Sequence, residues 1–311
     1  MILSGIAFAS LIILKETYAP TLLIRKARKR RDETGNPKWW SRYDQKKALG
    51  PLLRVNLSRP FIMATTEPIC IFWNLYVAVV YAILYLCFVA YPIVFTQIRG
   101  WSVAMTGLAF LGIGVGSCII MITEPLLRRL INSHRKDPST GKVYPEAMVS
   151  VVCIGALLVP AGQFWFSFTC APPVHWIWPI LAGIPFGAGN TTVFIYANNY
   201  IVNSYGIYAS SAMAGNTVVR SIMGATLPLA GTAMYSRLGP NWAGAVCGFM
   251  QIAIIPIPFV FYKYGHRIRE KSSMIRELTE DQMRSEGKRG QQKANEAATM
   301  RTEVEKKEFE V

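Results

Sequence analysis

Residues 147–219 read AMVSVVCIGALLVPAGQFWFSFTCAPPVHWIWPILAGIPFGAGNTTVFIYANNYIVNSYGIYASSAMAGNTVV, 73 residues without one Asp, Glu, Lys or Arg. A soluble domain carries roughly one charge every four residues. A run of this length therefore excludes a water-facing fold. Outward from it, residues 1–14, 68–98, 100–123, 221–236 and 238–262 are uncharged as well. The 33 basic and 18 acidic residues of the 311-residue chain crowd into what remains, above all 15–60 and 263–311. The pattern predicts an all-α fold, a polytopic bundle of membrane helices whose modest mean hydropathy averages apolar spans with highly charged segments.

Crossing about 30 Å of hydrocarbon takes roughly 20 apolar residues in a helix. The 73-residue run divides at Ala171-Pro172-Pro173 and around Asn198 to Asn203, which predicts spans near 148–170, 177–199 and 207–235. With 68–95, 103–122 and 242–262 they make six full crossings, and residues 1–14 read as the end of another helix. Lys and Arg number 13 in 15–60, five in 124–147 and 12 in 263–311, against one in 96–102, none in 169–176 and one in 236–241. Loops rich in them stay cytoplasmic, which places the amino terminus outside and the carboxyl tail inside, and gives the formal charge of +15 to the cytoplasmic membrane face. A cleaved signal peptide ending near Ala7-Phe8-Ala9 is the competing reading of the first residues, but they lack a basic leader.

The six cysteines show no paired spacing, and His134, His175 and His266 cannot share one metal. Neither a nucleophile elbow nor a phosphate loop is present. No enzyme activity, cofactor or nucleic-acid partner is expected; the bilayer is. Residues 15–60 combine the run Arg25 to Arg31 with Trp39-Trp40 and with Leu49, Leu52, Leu53 and Leu57 at helical spacing, the composition either of a segment lying on an anionic leaflet or of a solvated linker whose charge only fixes topology. The tail beyond His266 mixes both charge signs with few aromatics and reads as disordered.

Some residues are costly inside a membrane. Arg220 falls mid-span, where an ionised side chain costs at least about 2.5–3.5 kcal/mol, and Asn216 precedes it by one turn after a run of small residues. Asn74, Tyr81 and Tyr85 form one helical stripe, with Glu67 before it. Asn190 and Asn198 share a face after the stretch Gly183 to Gly189, whose glycines four apart are read as packing contacts. Pro185, Pro228, Pro256 and Pro258 predict kinks.

Several strings together are more specific. Lys15-Glu16-Thr17-Tyr18-Ala19-Pro20-Thr21-Leu22-Leu23, Arg59-Pro60-Phe61, Glu67-Pro68-Ile69, Tyr91-Pro92-Ile93-Val94-Phe95, Gly107 to Gly116, Pro185-Phe186-Gly187, Asn199-Tyr200-Ile201-Val202, Asn216-Thr217, Arg220-Ser221 and Pro258 to Gly265 occur in that order. The series resembles the fungal drug:proton antiporters of the major facilitator superfamily, from the end of their sixth helix through their twelfth. The resemblance covers about residues 11–269. It departs at Asn203, where relatives often have Asp, at Val89, where many have Glu, and at Gly215, where Ala is usual.

The resemblance implies this organisation: residues 1–14 as the end of a transmembrane helix, 15–60 as a basic cytoplasmic loop, 61–262 as a six-helix half-domain and 263–311 as the tail. It implies a plasma-membrane secondary transporter, or its carboxyl-terminal half, exporting drugs, polyamines or organic cations with the proton as coupling ion. Asn74, Tyr81, Tyr85, Asn190, Asn216 and Arg220 would then face the substrate cavity, and Glu67, Asn199 and Asn203 the cytoplasmic gate. An amino-terminal half or a second copy would close the cavity. The alternatives are a truncated half that pairs with another transporter without transporting, and a seven-helix receptor.

Overall fold

The computed structural model describes residues 19–36, 39, 49–136, 141, 143–272 and 274–276. Residues 1–14 and the tail from 277 onward, read above as a helix end and a disordered segment, lie outside them. The chain forms two units, residues 1–57 and 58–311.

In the first unit the basic run is helical: α1 spans Ala19–Thr34, with Lys29 paired to Glu33 at 3.6 Å and the Arg30 guanidinium 4.6 Å from the Trp39 ring. The loop predicted over 15–60 thus carries helix, and α2, Leu49–Thr66, runs on past its expected end. Next comes α3, Pro68–Tyr91, with Pro68 in its first turn, where the missing N–H costs nothing. It continues as a π-helical segment, Pro92–Ile98. A short α4, Val103–Ala109, capped by Ser102, leads into α5, Leu111–Asn132. The remainder is α6, Glu146–Thr169; α7, Ile177–Tyr205; α8, Ala209–Ile254; and α9, Pro256–Lys271.

Residues 177–271 are almost continuously helical, far too long for one crossing, and two glycines divide them. Gly206 (φ 50°) and Gly239 (φ 74°) hold backbone conformations that a Cβ would strain. Around them the chain folds back twice. Gly155 and Gly162 of α6 meet Gly189 and Phe186 of α7, so these two helices are antiparallel. Gly224 and Gly231 of α8 meet Tyr81 and Leu86, which makes the first part of α8 parallel to α3. Beyond Gly239, Gly244 faces Ser167 and Gly248 faces Phe164, so the second part runs antiparallel to α6. The spans are longer than their uncharged cores suggested: α5 continues past 122 to Asn132, α7 past 199 to Tyr205, and the last helix past 262 to Lys271.

Small residues set the closest approaches. Gly112 and Gly116 of α5 abut the α7 backbone at Ile180, Gly183, Ile184 and Ala188; a Cβ on Gly183 would lie 3.0 Å from Ile113 N and one on Gly187 2.8 Å from Ile113 Cα. In lipid, where apolar side chains gain little by leaving their surroundings, such backbone contact is what holds helices together. The glycines read as packing residues are packing residues. Gly215, the departure from the family's usual Ala, has a local cause, since a Cβ there would sit 2.8 Å from Pro60 O. Large apolar side chains such as Leu108, Val115, Ile122, Leu229, Phe249 and Ile252 point outward, as on a bundle solvated by hydrocarbon. The protein is an integral, multi-pass membrane protein.

Candidate functional site

Polar groups inside the bundle gather where α3, α5, α7 and α8 meet. Asn74 and Asn216 are both buried, and Asn216 Nδ2 donates to Asn74 Oδ1 at 2.9 Å. The other amide atoms, Asn74 Nδ2 and Asn216 Oδ1, are buried without partners. Two turns along α3, Tyr81 Oη donates to Tyr85 Oη at 2.8 Å, with ring centroids 4.5 Å apart. The predicted stripe therefore splits: Asn74 is committed to α8, while the tyrosines pair with each other and Tyr85 stays exposed.

Arg220 lies one turn beyond Asn216. Its Cζ is 4.8 Å from the Tyr81 ring centroid and 4.9 Å from that of Phe194, so the guanidinium stands over two aromatic faces. Such contacts contribute about 2 kcal/mol or more when desolvated. Its Nε is buried without an acceptor, and no ion pair reaches it among the described residues. An orphaned buried donor costs about 1–3 kcal/mol. Gly224, a turn further on, makes room for the stack, because a Cβ there would come within 2.9 Å of Tyr81 Cε1.

Tyr81 and Phe194 also line a cavity of about 370 Å³. Its polar wall is Asn190, Thr191 and Ser117; Thr191 Oγ1 donates to Ser117 Oγ at 2.8 Å, and Asn190 Nδ2 to Phe186 O of its own helix at 2.9 Å. The rest is aliphatic, and among the described residues the lining contains no carboxylate. Of the six residues predicted to face a cavity, Tyr81 and Asn190 line it, Arg220 caps its aromatic rings, Asn74 and Asn216 join helices beside it, and Tyr85 supports Tyr81. Phe194 and Gly224 escaped the sequence reading. Phe194 lies one turn after Asn190, a spacing that offered a signal; Gly224 offered none.

The residues read as a gate engage different partners. Glu67 is buried before α3 and accepts hydrogen bonds from Tyr205 Oη at 3.3 Å, Ser272 Oγ at 2.6 Å and Met274 N at 3.4 Å. Asn203 Nδ2 donates to Asn199 O at 2.8 Å and touches Met148 sulfur at 3.7 Å. Asn199 lines a separate groove of about 560 Å³ with Glu124, Arg128 and Tyr196. A further pair was not foreseen: Arg269 Nε lies 3.2 Å from Glu146 Oε1, joining α9 to α6, and Gly265 leaves space for the Glu146 side chain. At the opposite end Arg99 donates from Nε to Cys170 O at 3.0 Å and from Nη2 to Thr169 O at 3.1 Å, closing the end of α6. Burial lowers the pKa of Arg99 and pushes the Cys170 thiol up to about 11.

The profile of the Major Facilitator Superfamily matches residues 1–228. The chain is 40% identical over 263 residues to "MFS-type efflux pump MFS2" of Trichophyton rubrum, covering 84% of this chain and 44% of that protein. It is 41% identical over 265 residues to the "Major facilitator superfamily multidrug transporter mdrA" of Aspergillus fumigatus, covering 84% and 43%. With the "Citrinin biosynthesis cluster MFS transporter mrr1" of Monascus ruber it shares 40% identity over 263 residues, covering 84% and 52%. The chain spans about half the length of the curated relatives it matches. No solved structure matches it significantly. With the profile matched over residues 1–228 and these relatives beside it, the chain belongs to the Major Facilitator Superfamily.

Proposed function

We propose that the chain supplies one wall of a secondary transporter that expels small organic molecules across the plasma membrane by proton antiport. The observation that carries this reading is the cavity beside Arg220, where Tyr81, Phe194, Asn190 and the Ser117–Thr191 pair converge within a bundle of a transporter superfamily. In such folds substrate sits near the bilayer midplane between two repeats, and one repeat rocking against the other alternates access. A second wall, an amino-terminal half or another copy of this chain, completes the cavity. The distribution of Lys and Arg puts the amino terminus outside and the tail in the cytoplasm, so the Glu67 and Glu146–Arg269 clusters belong to the cytoplasmic end.

Expression in a strain stripped of its own exporters tests the reading. Together with an amino-terminal half of a full-length relative, the chain should confer efflux and resistance; alone it should confer neither and be degraded faster than a twelve-helix relative. Proton-driven uphill transport by the purified chain alone in liposomes would replace the two-half reading with a functional homodimer. A cysteine placed at Ser139 should be shielded from impermeant reagent in intact cells and one at Pro172 labelled; the reverse would invert the orientation.

A further inference from the structure

We infer that the cavity beside Arg220 selects organic acids, amphiphiles with a flat apolar body and one carboxylate or equivalent oxyanion, over organic cations. The inference rests on the reading of this cavity as a substrate site and narrows the drugs, polyamines and organic cations that the resemblance implies.

An aromatic cage recognises an organic cation by the negative faces of its rings. Here the two rings that could form one, Tyr81 and Phe194, already hold a cation, the guanidinium of Arg220 at 4.8 and 4.9 Å. A second cation at the same rings would meet a like charge at van der Waals range in a medium that screens poorly. A carboxylate would offset that repulsion, and among the described residues this wall of the cavity carries none. Glu67, Glu124 and Glu146 bind other partners: Tyr205 and Ser272, Arg128, and Arg269 respectively.

What the site does present is unused donor capacity. Arg220 does not itself line the cavity but contacts two residues that do, Tyr81 and Phe194; its Nε is buried and lacks an acceptor, and guanidinium N–H groups match a carboxylate in a two-bond fork that an ammonium side chain cannot reproduce. The Ser117 and Thr191 hydroxyls are both committed as donors, Thr191 Oγ1 to Ser117 Oγ at 2.8 Å and Ser117 Oγ to Ile113 O at 3.1 Å, and supply no free proton to an anion. Val77, Val80 and Leu84 of α3 and Ile113, one turn before Ser117 on α5, supply aliphatic surface.

The test uses two probes of one shape and opposite charge, 2-naphthoate and 2-naphthylmethylammonium, and the full chain in neutral-lipid nanodiscs. Equilibrium dialysis at pH 7.5 should show the carboxylate bound at least about tenfold more tightly. Arg220→Gln should abolish that preference and Arg220→Lys keep part of it, with circular dichroism and elution volume unchanged. Equal affinity, a preference for the ammonium, or saturable binding of neither probe to the wild-type chain overturns the inference. The wild-type comparison decides even if a variant fails to fold. With an amino-terminal half supplied, carboxylate-selective binding without proton-driven efflux would sink the transport reading and leave this inference standing. Efflux that favours the ammonium would do the opposite.

Discussion

Replacing Asn74 and Asn216 by leucine, singly and together, tests whether their amides form one interhelical unit. The two side chains are 3% and 1% exposed and share a single 2.9 Å hydrogen bond between α3 and α8. Either single substitution leaves one buried amide with no partner, a loss of about 1–3 kcal/mol. The double substitution removes both amides and leaves no orphan. It should therefore cost less than the sum of the singles. Interhelical hydrogen bonds in membrane proteins give coupling energies averaging about 0.6 and reaching about 1.7 kcal/mol. Full burial and the two further unpaired amide atoms place this pair in the upper half of that range, about 1–1.7 kcal/mol. The assay is SDS-driven unfolding of the chain in mixed micelles, followed by circular dichroism and tryptophan fluorescence. Costs that add to within about 0.3 kcal/mol, the scatter of independent sites, would refute the pairing and return both residues to the cavity.

Gly187→Ala should destabilise the bundle by about 1–3 kcal/mol in the same assay, because the new methyl meets the Ile113 backbone, whereas Gly114→Ala, with nothing within 4 Å, should be neutral or slightly stabilising. Arg269→Ala leaves Glu146, 13% exposed, without its cation; a loss of about 2–3 kcal/mol is expected, below the 3–5 of fully buried pairs because Arg269 keeps 20% exposure, and Glu146→Gln in that background should recover part of it. Cys170, held up to about 11 by burial, is protonated throughout the neutral range. Only about one in a thousand is thiolate at pH 8. Its side chain is fully buried and its thiol donates to Ser167 O and Asn241 Oδ1, so maleimide labelling of the folded chain, read by mass spectrometry, should be negligible at pH 8 and appear only on unfolding; labelling as fast as that of the exposed Cys118 would show an ordinary exposed thiol.

The membrane class was legible because it depends on long-range absence of charge, a property of sequence alone. One face of the glycine seam was legible for a similar reason: Gly183 and Gly187 repeat at one helical turn, and only close backbone approach rewards that spacing, whereas Gly112 and Gly116 opposite them entered only through the family resemblance. The partners of Arg220 were not. Tyr81 and Phe194 sit on other helices, and periodicity gives the polar face of each helix without the rotation at which two faces meet. Tyr85 shows the cost, since it shares a stripe with Tyr81 and yet turns outward to hydrogen-bond its neighbour. The ends of helices were underestimated where charged residues continue them. Arg128 binds Glu124 and His266 lies 3.3 Å from Glu270, both one turn apart, so charge there extends α5 and α9 instead of stopping them.

The seam between α5 and α7 bears on how the cavity can move. Backbone-to-backbone contact at Gly112, Gly116, Gly183 and Gly187 leaves no compliant side chains between these helices, and Thr191 clips onto Ser117 beside it. The two helices therefore behave as a single slab. Any rearrangement that opens Asn190 to one side of the membrane must carry Ser117 along, and the sliding surface has to lie elsewhere, on the side of α8, where Arg220 meets Phe194 through stacked π faces that tolerate translation. Spin labels on the outer surfaces of α5 and α7 would then report one fixed separation in every conformational state, a built-in ruler against which the displacement of α8 can be measured.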